Sequence, residues 1–488
     1  MKLVKKTINT YKSLSKPVKA SFWFMICGFL QRGVSVLTTP IFTRLLSVEQ
    51  YGIYNVFNSW LEVITVFVTL KLAAGVYTQG LVKFDKDQDV YSSSLLGLAT
   101  TSTLIWFIIY LSFHTWFNNK LGLSTLLMIT MFAMMISTVG YNFWSAKERV
   151  DYKYEKLVLI SLLVTFLKPT LGIIAVLHTE TYKAEARIIA IALVEVVVYT
   201  GLYVSMMKRG RVFFHKRYWK YALAFNLPLI PHYLSQNILN HSDRIMINAI
   251  VGMGAAGIYS LAYNLSSIMT IFNTSINNSL APWIYRCIKK DQIERIGGIS
   301  YILLVFIAAI NLVLIALAPE AVYLFAPKSY GEAIWVIPPV TMAVYYKFTY
   351  CLFADFEFYF EKTKTVMIAS MVGAVLNVVL NAMFIPTFGY IAAAYTTLVC
   401  YMVYSIMHFI FMKRVCKKYN DGIQPYKTSK VLLISVVFTI IGFILMALYD
   451  HRIIRYLFVL LVLFISYLKR DYCIDSLNAI RSGRKNNQ

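Results

Sequence analysis

Eight charged side chains stand within long apolar runs of this sequence: Arg32, Lys71, Lys168, Arg244 and Lys347 are basic, and Glu62, Glu195 and Asp243 are acidic. In such surroundings a guanidinium can grip a phosphate through a bidentate fork and an ammonium can hold it as a point charge. Arg32, Arg244, Lys71 and Lys347 are therefore expected to line a water-filled cavity and bind an anionic group. A carboxylate withdrawn from water takes up a proton more readily, so Glu62, Asp243 and Glu195 are expected to carry a coupling ion or gate its passage. For Asp243 an ion pair or a cap locking two helices is an equal expectation, and for Lys168 pairing with an acid or snorkelling toward the interface is the preferred one. Glu62 and Lys71 lie nine residues apart, about 180° on an ideal helix, and should not both face the cavity. Asn237, Asn240, His241 and Arg244 fall at i, i+3, i+4 and i+7, a polar stripe suited to sugar hydroxyls or to hydrogen bonds between helices.

The elements that must position these groups follow from composition. The 488 residues are 58% hydrophobic and 14% charged, with a mean hydropathy of +0.62, whereas soluble domains carry about 25% charged residues. Apolar runs of about 20 residues match a hydrocarbon core of roughly 30 Å at 1.5 Å per residue. Spans are expected near 20–45, 52–79, 92–114, 121–146, 157–178, 185–207, 219–249, 255–284, 298–318, 333–354, 364–385, 389–412, 429–449 and 453–469, about fourteen transmembrane helices in an all-α membrane protein. Runs such as 302–317 are continuously apolar, not alternating, which excludes an outer-membrane barrel. The first run is too long for a secretory signal and reads as a retained helix. Pro228 and Pro231 predict a bend in the seventh span. Eight charges facing lipid would cost roughly 24 kcal/mol at about 3 each, more than typical folding stability, so most must face a cavity or one another.

Charge sets the orientation. Of 47 Lys and Arg, the opposite-side connections hold only Arg44, Lys120, Lys183, Arg187, Lys328, Arg452 and Arg455. Most of the others lie in alternate connections beginning with the N-terminal segment 1–19 and ending with the tail 470–488. Cytoplasmic loops hold the excess of basic residues, so both termini are expected in the cytoplasm of a bacterial inner membrane. The net charge of +24 is then a topology signal, and no nucleic-acid partner is expected. The six cysteines are scattered without a C-x-x-C pair, and no metal, disulfide framework or cofactor is expected. No G-x-x-x-x-G-K-[ST] occurs, so no ATP hydrolysis through a P-loop is expected.

Residues 52–67 and 257–272 match at Gly52/Gly257, Ile53/Ile258, Tyr54/Tyr259, Thr65/Thr270 and Phe67/Phe272. That offset, about six spans, suggests a parallel repeat of two six-helix bundles, 20–207 and 219–412, joined by a linker at 208–218 and followed by two helices over 429–469. The segments TTPIFTRLLSVEQYGIYNVF, LAFNLPLIPHYLSQNILNHSDRIMI, GAAGIYSLAYNLS and LNVVLNAMFIPTFGYIAAAYTTL resemble the polysaccharide-biosynthesis branch of the multidrug/oligosaccharidyl-lipid/polysaccharide (MOP) exporter superfamily, which includes O-antigen and capsule repeat-unit flippases. The resemblance implies a non-enzymatic transporter moving an undecaprenyl-pyrophosphate-linked oligosaccharide outward. Membrane lipids, a coupling proton or sodium ion, and the glycosyltransferases and polymerase of the same pathway would be its partners. A multidrug exporter of the same superfamily and a membrane polysaccharide polymerase are the alternatives. Five basic against three acidic intramembrane groups argue against the first, and uniformly short outward connections against the second.

Overall fold

In hydrocarbon every backbone N–H and C=O must find its partner within the segment or its sheet, so long apolar runs fold as helices. A computed structural model describes residues 15–419 and 422–470, and its regular elements are helices throughout. The basic residues expected over 1–14 and 471–488, with Cys473, lie outside the described residues. The first half comprises α1 (Lys16–Leu45), α2 (Val48–Val68), α3 (Val76–Lys83), α4 (Gln88–Ser112), α5 (His114–Leu121), α6 (Thr125–Val150), α7 (Tyr154–Leu177), α8 (Lys183–Gly210) and α9 (Lys216–Asn226). There follow α10 (Ile230–Ile250), α11 (Met253–Lys289), α12 (Glu294–Ala316), α13 (Ala318–Phe325), α14 (Ala333–Tyr359), α15 (Thr363–Phe388), α16 (Ala392–Tyr419), α17 (Thr428–Ala447) and α18 (Arg452–Leu468).

Every expected span falls mainly on helix, and among the described residues ten helices are long and apolar enough to cross a membrane. The other four expected spans are α2, the α9–α10 pair, α14 and α18, which either carry polar groups or, in α18, number 17 residues. The exposed faces confirm the solvent: α17 turns out Leu432, Leu433 and Val436, and α18 turns out Leu457, Leu460 and Phe464, a contiguous apolar surface that suits lipid and not water. The protein is a multi-pass, all-helical membrane protein.

Two spans differ from expectation for local reasons. Ser47 opens α2 with a reciprocal capping box to Gln50, but the helix ends at Val68, because Leu70 and Lys71 take positive φ angles of 54° and 47°. The chain turns through 69–75 and resumes as α3. The seventh span is two helices, since Pro228 lies within a single 3₁₀ turn, Leu227–Leu229, and Pro231 in the first turn of α10, so the α-helical ladder is lost there.

The chain forms two compact units that divide between Asn237 and Ile238, inside α10 and not at the expected linker 208–218. The reason is the packing of α9 on the first unit. Tyr218 meets the rings of Phe84 and Tyr91, Trp219 Nε1 donates to the Ser94 carbonyl at 2.8 Å, and Asn226 Nδ2 donates to the Leu70 carbonyl at 2.5 Å. In the first unit α8 is the central helix, packed on α6, α7 and α4. In the second α14 holds that place against α16 and α11, with Asn273 Nδ2 donating to the Val344 carbonyl at 2.9 Å and Thr349 sharing a hydrogen bond with Ser405 at 2.6 Å.

Arg455, expected in a connection, is instead buried in the first turn of α18. It forks onto Glu320 of α13 at 2.8 and 2.9 Å and also donates to the Ala316 carbonyl at 2.5 Å. Burial pushes the Glu320 carboxyl up, but the hydrogen bonds from Arg455 and Tyr456 outweigh it and hold the group below the ordinary carboxylate value. A carboxyl lowered on folding stabilises the fold above its unfolded value and loses that contribution as pH falls through the lowered one. Thermal unfolding in detergent should therefore show a component of acid destabilisation below about pH 4 that Glu320→Gln removes; an unchanged acid limb in the variant would contradict the pair's role.

Candidate functional site

The first unit encloses a cavity of about 1150 Å³ whose walls are single helix faces. Gln31, Val34, Ser35, Thr38 and Phe42 come from α1, and Tyr54, Asn58, Leu61, Glu62 and Thr65 from α2. From α7 come Ser161, Val164, Thr165 and Lys168, and from α8 Arg187, Ile191, Glu195 and Tyr199 at strict four-residue spacing. Each series follows the i, i+3, i+4 rule, so each helix presents one polar stripe to the space and the opposite, apolar side outward. α6 adds Thr138, Asn142 and Arg149.

Charges in this wall fall into three states. Lys168 Nζ pairs with Glu195, whose other oxygen accepts from Thr138 Oγ1 at 3.2 Å, tying α7, α8 and α6 together. The Arg187 guanidinium lies 3.5 Å from the ring centres of both Phe42 and Tyr54, sandwiched in a cation–π stack. Among the described residues, the Glu62 carboxylate and the Lys71 ammonium line the cavity with neither an ion pair nor a hydrogen bond. The expectation that these two could not share the cavity is overturned: the helix of Glu62 stops at Val68, so the ideal-helix angle does not carry to Lys71 in its left-handed turn.

The remaining expected residues sort differently. Arg32 is exposed and off the cavity wall, about 100° around α1 from Gln31. In the second unit Lys347 lines a pocket of about 20 Å³ with Tyr263, Thr397 and Tyr401, and its Nζ donates to Asn240 Oδ1 at 3.1 Å. Arg244 is buried, stacked 4.3 Å from the Tyr263 ring, and donates to the Asn240 carbonyl at 3.4 Å. Asn237 and His241 are half-buried on α10, Asn237 being the last residue of the first unit.

Asp243 is 1% exposed and accepts four hydrogen bonds, from Asn377 at 3.1 Å, Asn381 at 2.7 Å, Thr397 at 2.6 Å and Tyr259 at 2.6 Å. Its two oxygens thereby join α10, α11, α15 and α16. Among the described residues no group of three His, Cys, Asp or Glu has the geometry to hold a metal ion.

Sequence reading missed Arg187 and Arg149, assigned to connections, and the acid Glu357, beyond the expected end of the tenth span at 354. Arg187 was legible after all: it lies two four-residue steps before Glu195, on the stripe that carries that acid.

Comparison with known proteins defines the class first. The structure has the fold of MOP superfamily transporters. It superposes on a structure of the lipid II flippase MurJ in an inward closed conformation with a TM-score of 0.71, covering 92% of this chain and 99% of that one at 16% identity. An inward-facing multidrug resistance MATE family transporter gives 0.59 over 80% of this chain and 96% of that one, at 13% identity. The polysaccharide biosynthesis protein family model matches residues 18–288, and the chain belongs to that family. A protein of the Lsg locus of Haemophilus influenzae is 22% identical over 382 residues, 74% of this chain and 90% of its own length.

Removing the Asp243 carboxylate leaves four buried donors without their acceptor. Asp243→Ala should lower stability by about 3 kcal/mol or more, read as a fall in melting temperature of the purified protein, while Asp243→Asn retains part of it. An unshifted melting curve for Asp243→Ala would show that these bonds do not hold the helices.

Proposed function

We propose that this protein flips undecaprenyl-pyrophosphate-linked oligosaccharide repeat units from the inner to the outer leaflet of a bacterial cytoplasmic membrane, with both termini in the cytoplasm, to supply surface polysaccharide synthesis. The observation that carries the reading is the cavity wall of the first unit. Lys71, Lys168, Arg149 and Arg187 line it together with Glu62 and Glu195, a net positive lining. Between the charges stand amides, hydroxyls and the rings of Tyr54, Tyr141 and Tyr199, groups that hydrogen-bond sugar hydroxyls and stack on sugar faces. Such a wall suits a substrate with an anionic head and a neutral polyhydroxylated body. Family membership supports the same pathway.

In this reading Lys71, the unpaired ammonium, meets the pyrophosphate. Arg32, Arg244 and Lys347 are the further candidate pyrophosphate contacts, and Asn237, Asn240 and His241 the candidate sugar contacts. A proton or sodium ion drives the cycle through Glu62, unpaired in the cavity, with Glu195 and Asp243 as the further carboxylates that carry or gate it. The protein carries no chemistry of its own; glycosyltransferases make the substrate and a polymerase consumes it.

Deleting the gene in its native host should make lipid-linked intermediates accumulate on the cytoplasmic face and abolish surface polysaccharide. Complementation with Lys71→Ala should restore membrane protein level but leave polysaccharide reduced about tenfold or more, the loss of one charge-assisted contact. Unchanged glycan with new sensitivity to cationic drugs would overturn the flippase reading in favour of a multidrug exporter, for which the unpaired Glu62 would be the cation contact.

A further inference from the structure

One buried titratable pair lies outside everything used above. Glu357, near the end of α14, and His408 of α16 are both 0% exposed, and His408 Nδ1 stands 2.5 Å from Glu357 Oε1. Thr365, in the first turn of α15, donates to the other carboxylate oxygen, so three helices meet at one carboxyl group. His408 is enclosed by the rings of Tyr350, 5.5 Å away, and Tyr404, 4.6 Å away, and its Nε2 is buried without a hydrogen-bond partner among the described residues.

Among the described residues Glu357 has no ion pair other than that with the imidazole. The backbone N–H of Lys362 donates to the Glu357 carbonyl at 2.8 Å, but its ammonium sits 4.5 Å over the Tyr419 ring. On α14 the nearest acid, Asp355, points to another side of the helix, two residues or about 200° away, toward Tyr285 of α11. From α15 the contact is the neutral Thr365, and from α16 the neutral Tyr404.

Proton count decides the charge of such a pair. With one proton, on imidazole Nδ1, the site carries a net negative charge in a fully buried place, which is costly. With two protons it is neutral, either as carboxylate and imidazolium or as carboxylic acid and imidazole. We propose that Glu357 and His408 form a proton-binding site of the second unit, in which the bound proton fastens α14 and α15 to α16 and its loss loosens that corner. The proton enters as the free ion and leaves as the free ion; no other bond is made or broken. It is separate from the cavity acids, and the proposal stands whether or not the flippase reading does.

The test uses the full-length protein in lipid nanodiscs. Melting temperature followed from about pH 6 to about pH 9 should fall for the wild type and become flat over this interval in Glu357→Gln, which keeps a hydrogen bond to His408 but removes the titrating charge. Hydrogen exchange of segments 353–365 and 404–412 in the wild type should accelerate over the same interval beyond the intrinsic base-catalysed rise seen in helix α8. A Glu357→Gln variant with the wild-type slope would overturn the proposal. Should that variant fail to fold, exchange in the wild type that follows the intrinsic rate in both segments would overturn it equally.

Discussion

Hydrocarbon offers no hydrogen-bond partner, and this single constraint arranges nearly every polar group described above. Backbone groups close on themselves as helix; side-chain charges close on one another or on neutral donors. Lys168 closes on Glu195, Arg455 on Glu320, Glu357 on His408, and Asp243 on two amides and two hydroxyls. Arg187 is met by two aromatic faces. Against that background of satisfied charge, Glu62 and Lys71 stand out because they face open space in the cavity.

A membrane protein has no reason to keep an unpaired ammonium within a polar chamber unless water or a ligand completes it. The chamber exists because α1, α2, α6, α7 and α8 each devote one face to it, and the turn at 69–75 exists because the chain leaves α2 early. Had α2 continued as an ideal helix, Lys71 would have pointed away from Glu62. The left-handed turn is thus the local feature that brings the acid and the base into one wall.

Much of the fold was legible because its signal is strong: continuous apolar runs fall on helix, and ten of them are long and apolar enough to span among the described residues. The superfamily was legible only through the resemblance of four segments, not through apolar runs or charge alternation. The site was less legible. Glu195 and Lys168 were visible as intramembrane charges, but their pairing needed the packing of α7 on α8. Arg187 hid because charge near a span end reads as a connection, although it shares a stripe with Glu195. Glu357 hid because an acid in DFEFYF looks like the exit of a helix, whereas α14 runs on to Tyr359 and buries it. Lys71 was misdirected by an ideal helix that the backbone abandons three residues earlier. Tertiary burial and local backbone geometry, neither of them a property of hydropathy, decide each of these cases.

The most direct test of the central claim is reconstitution. Purified protein in liposomes with a fluorescent undecaprenyl-pyrophosphate oligosaccharide confined to one leaflet, and an imposed ion gradient, reports translocation through loss of the label to a membrane-impermeant quencher or enzyme. The account predicts translocation that depends on the protein and fails in Lys71→Ala. Wild-type protein that leaves the labelled lipid in its original leaflet, under either a proton or a sodium gradient, would contradict it.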